Sequence, residues 1–241
     1  MFNKHEVEWR YKHRERDVET APAEAEEELE ALMEDEEDEW EDDDTMMYGI
    51  DVSENNGTVD WEAVKDAGME FAIIRLGYGR GHLDEEFWDN VQGALDAGLQ
   101  IGVYYYSYAL SHFDARDEAE FLVETLKEGG LTNDKLPLGV WFDMEDADGY
   151  KADNDIWDGY MMSEMCNAFI EVCEREGYTT GVYASLSWLV DLLSPEVWGT
   201  DKPIWCAQWD SECDWEDAKI WQFTDDLEIG GRAFDGNILM K

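Results

Sequence analysis

From Met47 onward, short apolar runs alternate with amphipathic segments, and this alternation predicts strands separated by helices. The apolar runs are rich in β-branched and aromatic residues. Several amphipathic segments end at a glycine, such as Gly68 or Gly98, which is typical of helix C-termini. The pattern predicts strands at 47–53, 71–78, 99–109, 138–145, 179–185, 203–209, 218–223 and 234–239. It predicts helices at 59–68, 84–97, 114–128 and 156–176, with a helical turn at 187–193.

The order of these elements predicts an α/β fold. Repeated strand–helix units followed by three closing strands indicate parallel pairing with the helices outside. Eight predicted strands favour a closed barrel, and a doubly wound sheet also satisfies the pattern. The last two strands are joined by a short connection that contains Gly230 and Gly231, so we expect that pair to be antiparallel.

The predicted strand at 138–145 ends in two carboxylates, Asp143 and Glu145. Side chains two residues apart on a strand lie on the same face, so both acids point the same way. In a barrel of parallel strands, functional groups collect at the C-terminal ends of the strands. Asp51 ends the first strand, and Asp235 lies on the last one. The other polar and aromatic candidates near strand ends are Tyr78, Tyr104, Tyr106, Tyr108, Tyr183, Ser185, Gln208, Trp209, Gln222 and Asn237.

Position, rather than spacing, singles out these four acids, because a chain with 61 Asp and Glu residues contains D-x-E triplets by chance. Buried like charges raise one another's pKa, so a cluster holds a proton near neutral pH, as general acid cleavage of a glycosidic bond requires. Binding of a hard cation is the alternative use of such a cluster. Tyr and Trp at the same mouth favour carbohydrate. We expect Trp61 and Trp141 to be structural, and His82 and His112 to lie on the surface.

Composition excludes several classes of partner. The formal net charge of −44 argues against nucleic acid, since phosphate binding needs clustered Lys and Arg, and against an anionic membrane surface. No apolar run is long enough to span a bilayer, and no serine-hydrolase or P-loop motif is present. The cysteines lack zinc-site spacing, and Cys166 and Cys173 share one face of a predicted helix, where we expect buried thiols.

Residues 1–46 differ from the rest of the chain. From Glu24 to Asp44 the segment is dominated by acidic residues and contains no Lys or Arg. A self-repelling composition cannot bury a core, so we expect a disordered acidic N-terminal extension that acts as a spacer. A specific docking role is the alternative interpretation. The folded domain is therefore predicted at residues 47–241.

Nine segments, in order from about residue 47 to the C-terminus, carry a resemblance to a known family. The sequence resembles glycoside hydrolase family 25, the N-acetylmuramidases. The segments are YGIDVS at 48–53, VDW at 59–61, FAIIRLGY at 71–78, GVYYYSYA at 102–109, DME at 143–145, GVYAS at 181–185, AQW at 207–209, IWQ at 220–222 and DGN at 235–237. Many members have Tyr-His-Tyr where this chain has Tyr104-Tyr105-Tyr106, and we expect position 105 to point outward.

The resemblance implies an irregular TIM-like (β/α)5(β)3 barrel and a lysozyme that cleaves the β-1,4 bond between N-acetylmuramic acid and N-acetylglucosamine in peptidoglycan. It implies that Glu145 donates the proton to the leaving oxygen. Asp143 would orient the 2-acetamido group of the substrate or hold a water, and Asp51 and Asp235 would tune the acid and bind sugar. The implied substrate-binding residues are Tyr78, Tyr106, Tyr183, Gln208 and Trp209. No metal and no cofactor are implied, and retention and inversion both stay open.

The setting and a second function are also expectations. Without an apolar signal-peptide core, we expect synthesis in the cytoplasm, followed by phage-endolysin-like release to the bacterial cell wall or by export outside the Sec pathway. We expect a monomer that acts on peptidoglycan glycan strands. The alternative is a glycan-binding or assembly component with the same barrel and little hydrolytic activity, motivated by the acidic extension and by the lack of a wall-binding repeat after the barrel.

Overall fold

The computed structural model describes residues 46–240, so the extension predicted at 1–46 lies outside the described residues except for Met46. The strands are β1 Met47–Val52, β2 Phe71–Tyr78, β3 His82–Leu83, β4 Gln100–Tyr106, β5 Val140–Asp143, β6 Thr180–Ser185, β7 Ile204–Ala207, β8 Ala218–Ile229 and β9 Arg232–Leu239. The helices are α1 Trp61–Asp66, α2 Phe87–Asp96, α3 His112–Glu128, α4 Tyr150–Asp153, α5 Gly159–Arg175 and α6 Leu186–Asp191. Short 3-10 turns cover Glu54–Asn56, Asn133–Lys135 and Pro195–Val197.

Eight of the strands form a closed barrel, which confirms the predicted α/β barrel and removes the open-sheet alternative. The hydrogen-bonded order is β1-β9-β8-β7-β6-β5-β4-β2, and a parallel pairing between β1 and β2 closes the ring. The pairs from β2 through to β8 are parallel, whereas β9 runs antiparallel to both β8 and β1. Gly230 and Gly231 form the tight β8–β9 turn, where both have positive φ.

The barrel has two apolar layers. Its interior is filled by large side chains, among them Phe71, Tyr104, Trp141 and Trp205, while a larger cluster fills the space between the strands and the helices. Trp61 and Trp141 are buried, as expected for structural residues. Tyr105 points outward to the helical layer, as predicted, because its neighbours on the strand face the interior. Its ring packs against Phe121 and Phe169, and its hydroxyl donates to the carbonyl of Gly79.

The segment after β5 differs from the prediction. The strand ends at Asp143, so Glu145 lies beyond it. The helix predicted at 156–176 begins instead at Gly159, because the Asp158 side chain accepts a hydrogen bond from the Met161 amide and caps it there. A separate four-residue helix, α4, precedes it at Tyr150–Asp153. The sequence also missed β3, which is two residues long and too short to show a period.

The remaining structural expectations concern cysteines, histidines and membrane spans. Cys166 and Cys173 are buried free thiols on α5, as predicted. His82 and His112 are exposed, and the His82 ring stacks on Tyr78 at 5.4 Å between centroids. None of the helices within residues 46–240 combines the length and hydropathy needed to cross a bilayer.

Candidate active site

Three strands bring four carboxylates to one mouth of the barrel. Asp51, near the end of β1, lies directly opposite Asp235 in the antiparallel β1–β9 pair, and their carboxyl groups are hydrogen bonded. Asp143 is the last residue of β5, and Glu145 follows two residues later. The negative charge of Glu145 acts on both Asp51 and Asp143. The four acids proposed from sequence therefore form one electrostatically connected group.

Asp51 is held by a network of buried amide groups. Its Oδ2 atom accepts hydrogen bonds from Gln222 Nε2 at 2.9 Å and from Asn237 Nδ2 at 2.8 Å. Gln222 Oε1 accepts in turn from the Tyr183 hydroxyl at 3.0 Å. The Trp205 indole N–H donates to Asn237 Oδ1 at 2.8 Å. These bonds fix the position of the Asp51 carboxyl before any ligand binds.

Burial dominates the electrostatics of Asp51. It raises the pKa of Asp51 to about 6, although the hydrogen bonds from Asn237 and Gln222 oppose the rise. A carboxyl with this pKa takes up a proton in mildly acidic solution, where an exposed aspartate stays ionised. Asp51 is thus able to exchange its proton near the pH at which a glycosidase acid must work.

Asp143 and Glu145 occupy different environments. Asp143 is buried, and its Oδ1 atom has no hydrogen-bond partner among the described residues. Burial and the charge of Glu145 raise the pKa of Asp143 well above its usual range, and the charges of Lys151 and Arg75 oppose this rise. Glu145 is half-buried at the mouth. Two carboxyls that interact this strongly titrate as a pair, so they hold a proton between them at higher pH than separate acids do.

Aromatic side chains form a wall beside the acids. The Tyr108 ring lies 5.2 Å from Tyr106, 6.3 Å from Tyr78 and 4.9 Å from Tyr150, measured between centroids. The Tyr108 hydroxyl donates to Asp148 Oδ2 at 2.5 Å, which fixes this ring against the β5–α4 loop. Burial and the nearby acids raise the pKa of Tyr106, so its hydroxyl stays protonated and available as a donor. The wall provides flat apolar faces with polar edges, a combination suited to sugar rings.

Sequence reasoning missed several residues of this mouth. Tyr150 lies on α4, which the hydrophobic pattern did not reveal, so no signal separated it from other surface tyrosines. Arg75 lies on β2 within an apolar run, and its placement there was the available clue. Its guanidinium bonds Asp84 at 2.7 Å and Glu54 at 3.1 Å. Lys151 has no neighbouring motif at all, and only the fold places its charge near Asp143.

Residues 50–232 match the family model described as glycosyl hydrolases family 25. The chain belongs to this family. The match begins within β1 and runs to the end of β8, so it covers most of the described barrel. It includes Asp51, Asp143 and Glu145. The resemblance drawn from the sequence is therefore confirmed at the level of the family.

Two lysozymes align with most of this chain. The chain is 31% identical over 163 residues to the autolytic lysozyme of Clostridium acetobutylicum, an alignment that covers 68% of this chain. It spans only 45% of that relative, less than half of its length. It is 26% identical over 171 residues to the probable GH family 25 lysozyme 4 of Dictyostelium discoideum, covering 70% of this chain and 75% of the relative.

Solved structures of similar proteins share the fold. The modular autolysin LytC from Streptococcus pneumoniae, in complex with a synthetic peptidoglycan ligand, superposes with a TM-score of 0.71 at 25% identity. The superposition covers 80% of this chain and 46% of LytC. A family 25 glycosyl hydrolase from Bacillus anthracis has a TM-score of 0.67 at 20% identity, covering 83% of this chain and 91% of that one. These neighbours support the barrel assignment independently of the hydrophobic pattern.

The family 25 resemblance also suggested five substrate-binding residues, which the structure places in three different settings. Tyr78 and Tyr106 belong to the aromatic wall. Tyr183 is buried inside the barrel, where its hydroxyl reaches Gln222. Trp209 is 47% exposed at the rim, and its indole N–H also donates to Gln222 Oε1, at 3.3 Å. Their contact with substrate stays a prediction.

Gln208 differs from the other four because its side chain is engaged within the β7–β8 loop. Its Nε2 donates to Asp214 Oδ2 at 2.7 Å, and its Oε1 accepts the Asp214 amide N–H at 2.8 Å. This reciprocal pair shapes the loop that carries Trp209. Any contact between Gln208 and substrate, which stays a prediction, would have to compete with these two bonds.

Proposed function

We propose that this protein is a lysozyme that hydrolyses the β-1,4 bond between N-acetylmuramic acid and N-acetylglucosamine in peptidoglycan. The main support for this proposal is that Asp51, Asp143, Glu145 and Asp235 converge at one mouth of a family 25 barrel. Membership of a family of glycosyl hydrolases supports the reaction class. The peptidoglycan ligand of LytC and the lysozyme activity named for the clostridial relative support the substrate class.

In this proposal Glu145 is the proton donor. It is the central acid that reaches the open mouth, whereas Asp143 beside it is buried. The Glu145 proton passes to the glycosidic oxygen as the bond to the muramic acid C1 breaks. A water then supplies hydroxide to C1, and its remaining proton returns to the enzyme.

Asp143 has a supporting role in the proposal. Its carboxyl group orients the substrate's 2-acetamido group or holds a water beside the breaking bond. Asp51 and Asp235 adjoin this pair and bind sugar hydroxyls, while the aromatic wall of Tyr78 and Tyr106 stacks on sugar faces. Trp209 contributes a ring on the opposite rim.

The first test compares wild type with Glu145→Gln and a matched control, Glu62→Gln, on α1, where the side chain is exposed. Release of new reducing ends from purified peptidoglycan is measured at equal protein concentration. Loss of a general acid lowers the rate by roughly 100-fold or more, so we expect a large loss in Glu145→Gln and none in Glu62→Gln. Equal rates for wild type and Glu145→Gln would contradict the assignment of the acid.

The alternative, a glycan-binding component with little hydrolytic activity, makes a different prediction in the same experiment. Wild type would then sediment with peptidoglycan without releasing reducing ends. Binding without cleavage across the whole acidic-to-neutral range would favour it over the lysozyme. The route by which the protein reaches the wall and its expected monomeric state stay predictions.

A further inference from the structure

Lys151 is a buried lysine beneath the acidic mouth. It lies on the short helix α4, and only 2% of the residue is exposed. Its ammonium Nζ donates to the main-chain carbonyl of Glu145 at 2.8 Å and to the carbonyl of Ser107, just beyond β4. One side chain therefore joins the ends of β4 and β5 at the residue proposed to donate the proton.

The same segment holds α4 in place from the other side. The Asp146 carboxylate accepts the backbone N–H of Lys151 at 2.7 Å and of Ala152 at 2.9 Å. Asp146 thus anchors the helix, and Lys151 reaches back to the carbonyl of Glu145. The backbone of Glu145 cannot move without breaking this closed set of bonds.

The positive charge of Lys151 is stabilised by acidic side chains around it. Burying an ammonium group is costly unless opposite charges surround it. Burial lowers the pKa of Lys151, and the charges of Asp143, Glu118, Asp146 and Glu145 oppose that change. Of these, Glu118 is itself buried on α3, and burial raises its pKa to about 8. Glu118 therefore holds its proton more tightly than an exposed glutamate does, so the acids of the mouth contribute to balancing the charge of Lys151.

Few cations face Asp143. The titratable groups that interact electrostatically with Asp143 are Asp51 on β1, Arg75 on β2, Tyr104 and Tyr106 on β4, Tyr183 on β6, Lys151 on α4 and Glu145. Arg75 already pairs with two other carboxylates, Asp84 and Glu54. The Cys166 thiol on α5 also feels the charge of Lys151. Lys151 differs from Arg75 in this respect: within residues 46–240 it forms no salt bridge with a carboxylate, and its ammonium group bonds to main-chain carbonyls instead.

We propose that Lys151 is a positioning residue for the Asp143–Glu145 pair: its ammonium group fixes the main chain of Glu145 and weakens the hold of Asp143 on its proton. The kinetic part of this inference rests on the proposed function. The structural part, which concerns the charge on Lys151 and the titration of Asp143, does not.

The decisive variants are Lys151→Met, which removes the charge at similar length, and Lys151→Arg, which keeps it. Glu118→Gln is the matched control, because Glu118 is equally buried in the same cluster and is not among the groups that shift the pKa of Asp143. The titration of Asp143 is followed by carbon NMR of labelled aspartate carboxyls, assigned with Asp143→Asn. Removing a nearby positive charge stabilises the protonated acid, so we expect the Asp143 midpoint to rise by about one pH unit in Lys151→Met.

The Lys151→Arg and Glu118→Gln proteins should keep the Asp143 midpoint close to that of wild type. A Lys151→Met protein that folds and titrates like wild type would overturn the inference. If Lys151→Met does not fold, the nitrogen resonance of the Lys151 ammonium in wild type decides instead. We expect a charged ammonium between about pH 5 and 7, and a neutral amine in that range would overturn the proposal.

Kinetics separate positioning from simple stabilisation. In Lys151→Met the acidic limb of kcat/KM on peptidoglycan should move to higher pH with the Asp143 midpoint, and kcat should fall by roughly 10-fold or more with little change in KM. A purely structural role would lower the melting temperature and leave the limb in place, which would contradict the proposal. If wild type does not cleave peptidoglycan, the proposed function fails, and the NMR titration still decides the role of Lys151.

Discussion

At the scale of single residues, the site depends on polar side chains brought together from distant parts of the chain. Asp51 is held by Gln222 and Asn237, which are 171 and 186 residues away along the chain. The sequence placed these residues at strand ends, and the family resemblance gave the four acids their roles. Neither the sequence pattern nor the resemblance indicated the hydrogen bonds that hold Asp51, because a bond between β1 and β8 exists only once the barrel closes.

The buried Asp51 carboxyl makes a testable contribution to stability. Its pKa is higher in the folded protein, about 6, than the ordinary value of 3.8. The folded state therefore binds this proton more tightly, and stability declines as pH rises above about 4 and levels off roughly one pH unit above the folded pKa. A rise of this size corresponds to roughly 3 kcal/mol.

We therefore expect Asp51→Asn to raise the melting temperature at pH 7 relative to wild type, with a smaller gain at pH 4. Hydrolysis should decrease in the same variant, because the carboxyl is lost from the mouth. Thermal unfolding of both proteins across this pH range provides the measurement, with the exposed Asp89→Asn as control. A variant that is less stable than wild type at pH 7 would show that burying the ionised Asp51 carboxylate does not destabilise the folded protein as expected.

At the scale of elements, hydrophobic periodicity predicted most strands to within a few residues. It succeeded where burial is continuous, as in β2, whose predicted and observed ranges coincide. It failed between β5 and α5, because the structure there is set by the Asp146 carboxylate, which accepts amide N–H groups of α4, and by the buried bonds of Lys151. β8 also runs six residues past its predicted end at 223, since its polar second half pairs with β9 through two irregularities. Local pattern does not report such tertiary partners.

The elements that carry the cysteines predict an order of thiol reactivity. Cys166 and Cys173 on α5 and Cys206 on β7 are buried, and burial raises the pKa of each thiol. Cys213 lies half-buried in the β7–β8 loop. Because the thiolate is the reactive form, we expect N-ethylmaleimide to label Cys213 first in the native protein.

Intact-mass analysis should therefore show one rapid adduct under native conditions and four in denaturant. The Cys213→Ser variant, used as a control, should show no rapid adduct. Comparable labelling rates at two or more native cysteines would mean that α5 or β7 opens more readily than its packing indicates.

At the scale of the whole molecule, the net charge of −44 is the dominant property. Repulsion among so many carboxylates opposes the compact state, and dissolved salt screens it over distances near 10 Å at 0.1 M. We expect the melting temperature to rise by several degrees between about 0.05 and 1 M sodium chloride. Potassium chloride at equal ionic strength is the control, because screening depends on ionic strength rather than on the identity of the cation. A melting temperature that is constant or falls with salt would show that self-repulsion is not limiting.

The same charge bears on function, because anionic wall polymers would repel the protein at low ionic strength. The fold and the family are well supported by the barrel and by the match over residues 50–232, while the chemistry rests on the arrangement of four acids. Which sugar becomes the new reducing end is the feature that separates a muramidase from other peptidoglycan hydrolases.

The most direct test is therefore the identity of that sugar. Peptidoglycan is digested with wild type and with Glu145→Gln, reduced with borohydride, hydrolysed in acid and analysed for amino-sugar alcohols. Cleavage of the bond after N-acetylmuramic acid predicts muramitol in the wild-type digest and close to none with Glu145→Gln. Glucosaminitol in its place, or no amino-sugar alcohol above the untreated control, would contradict the account.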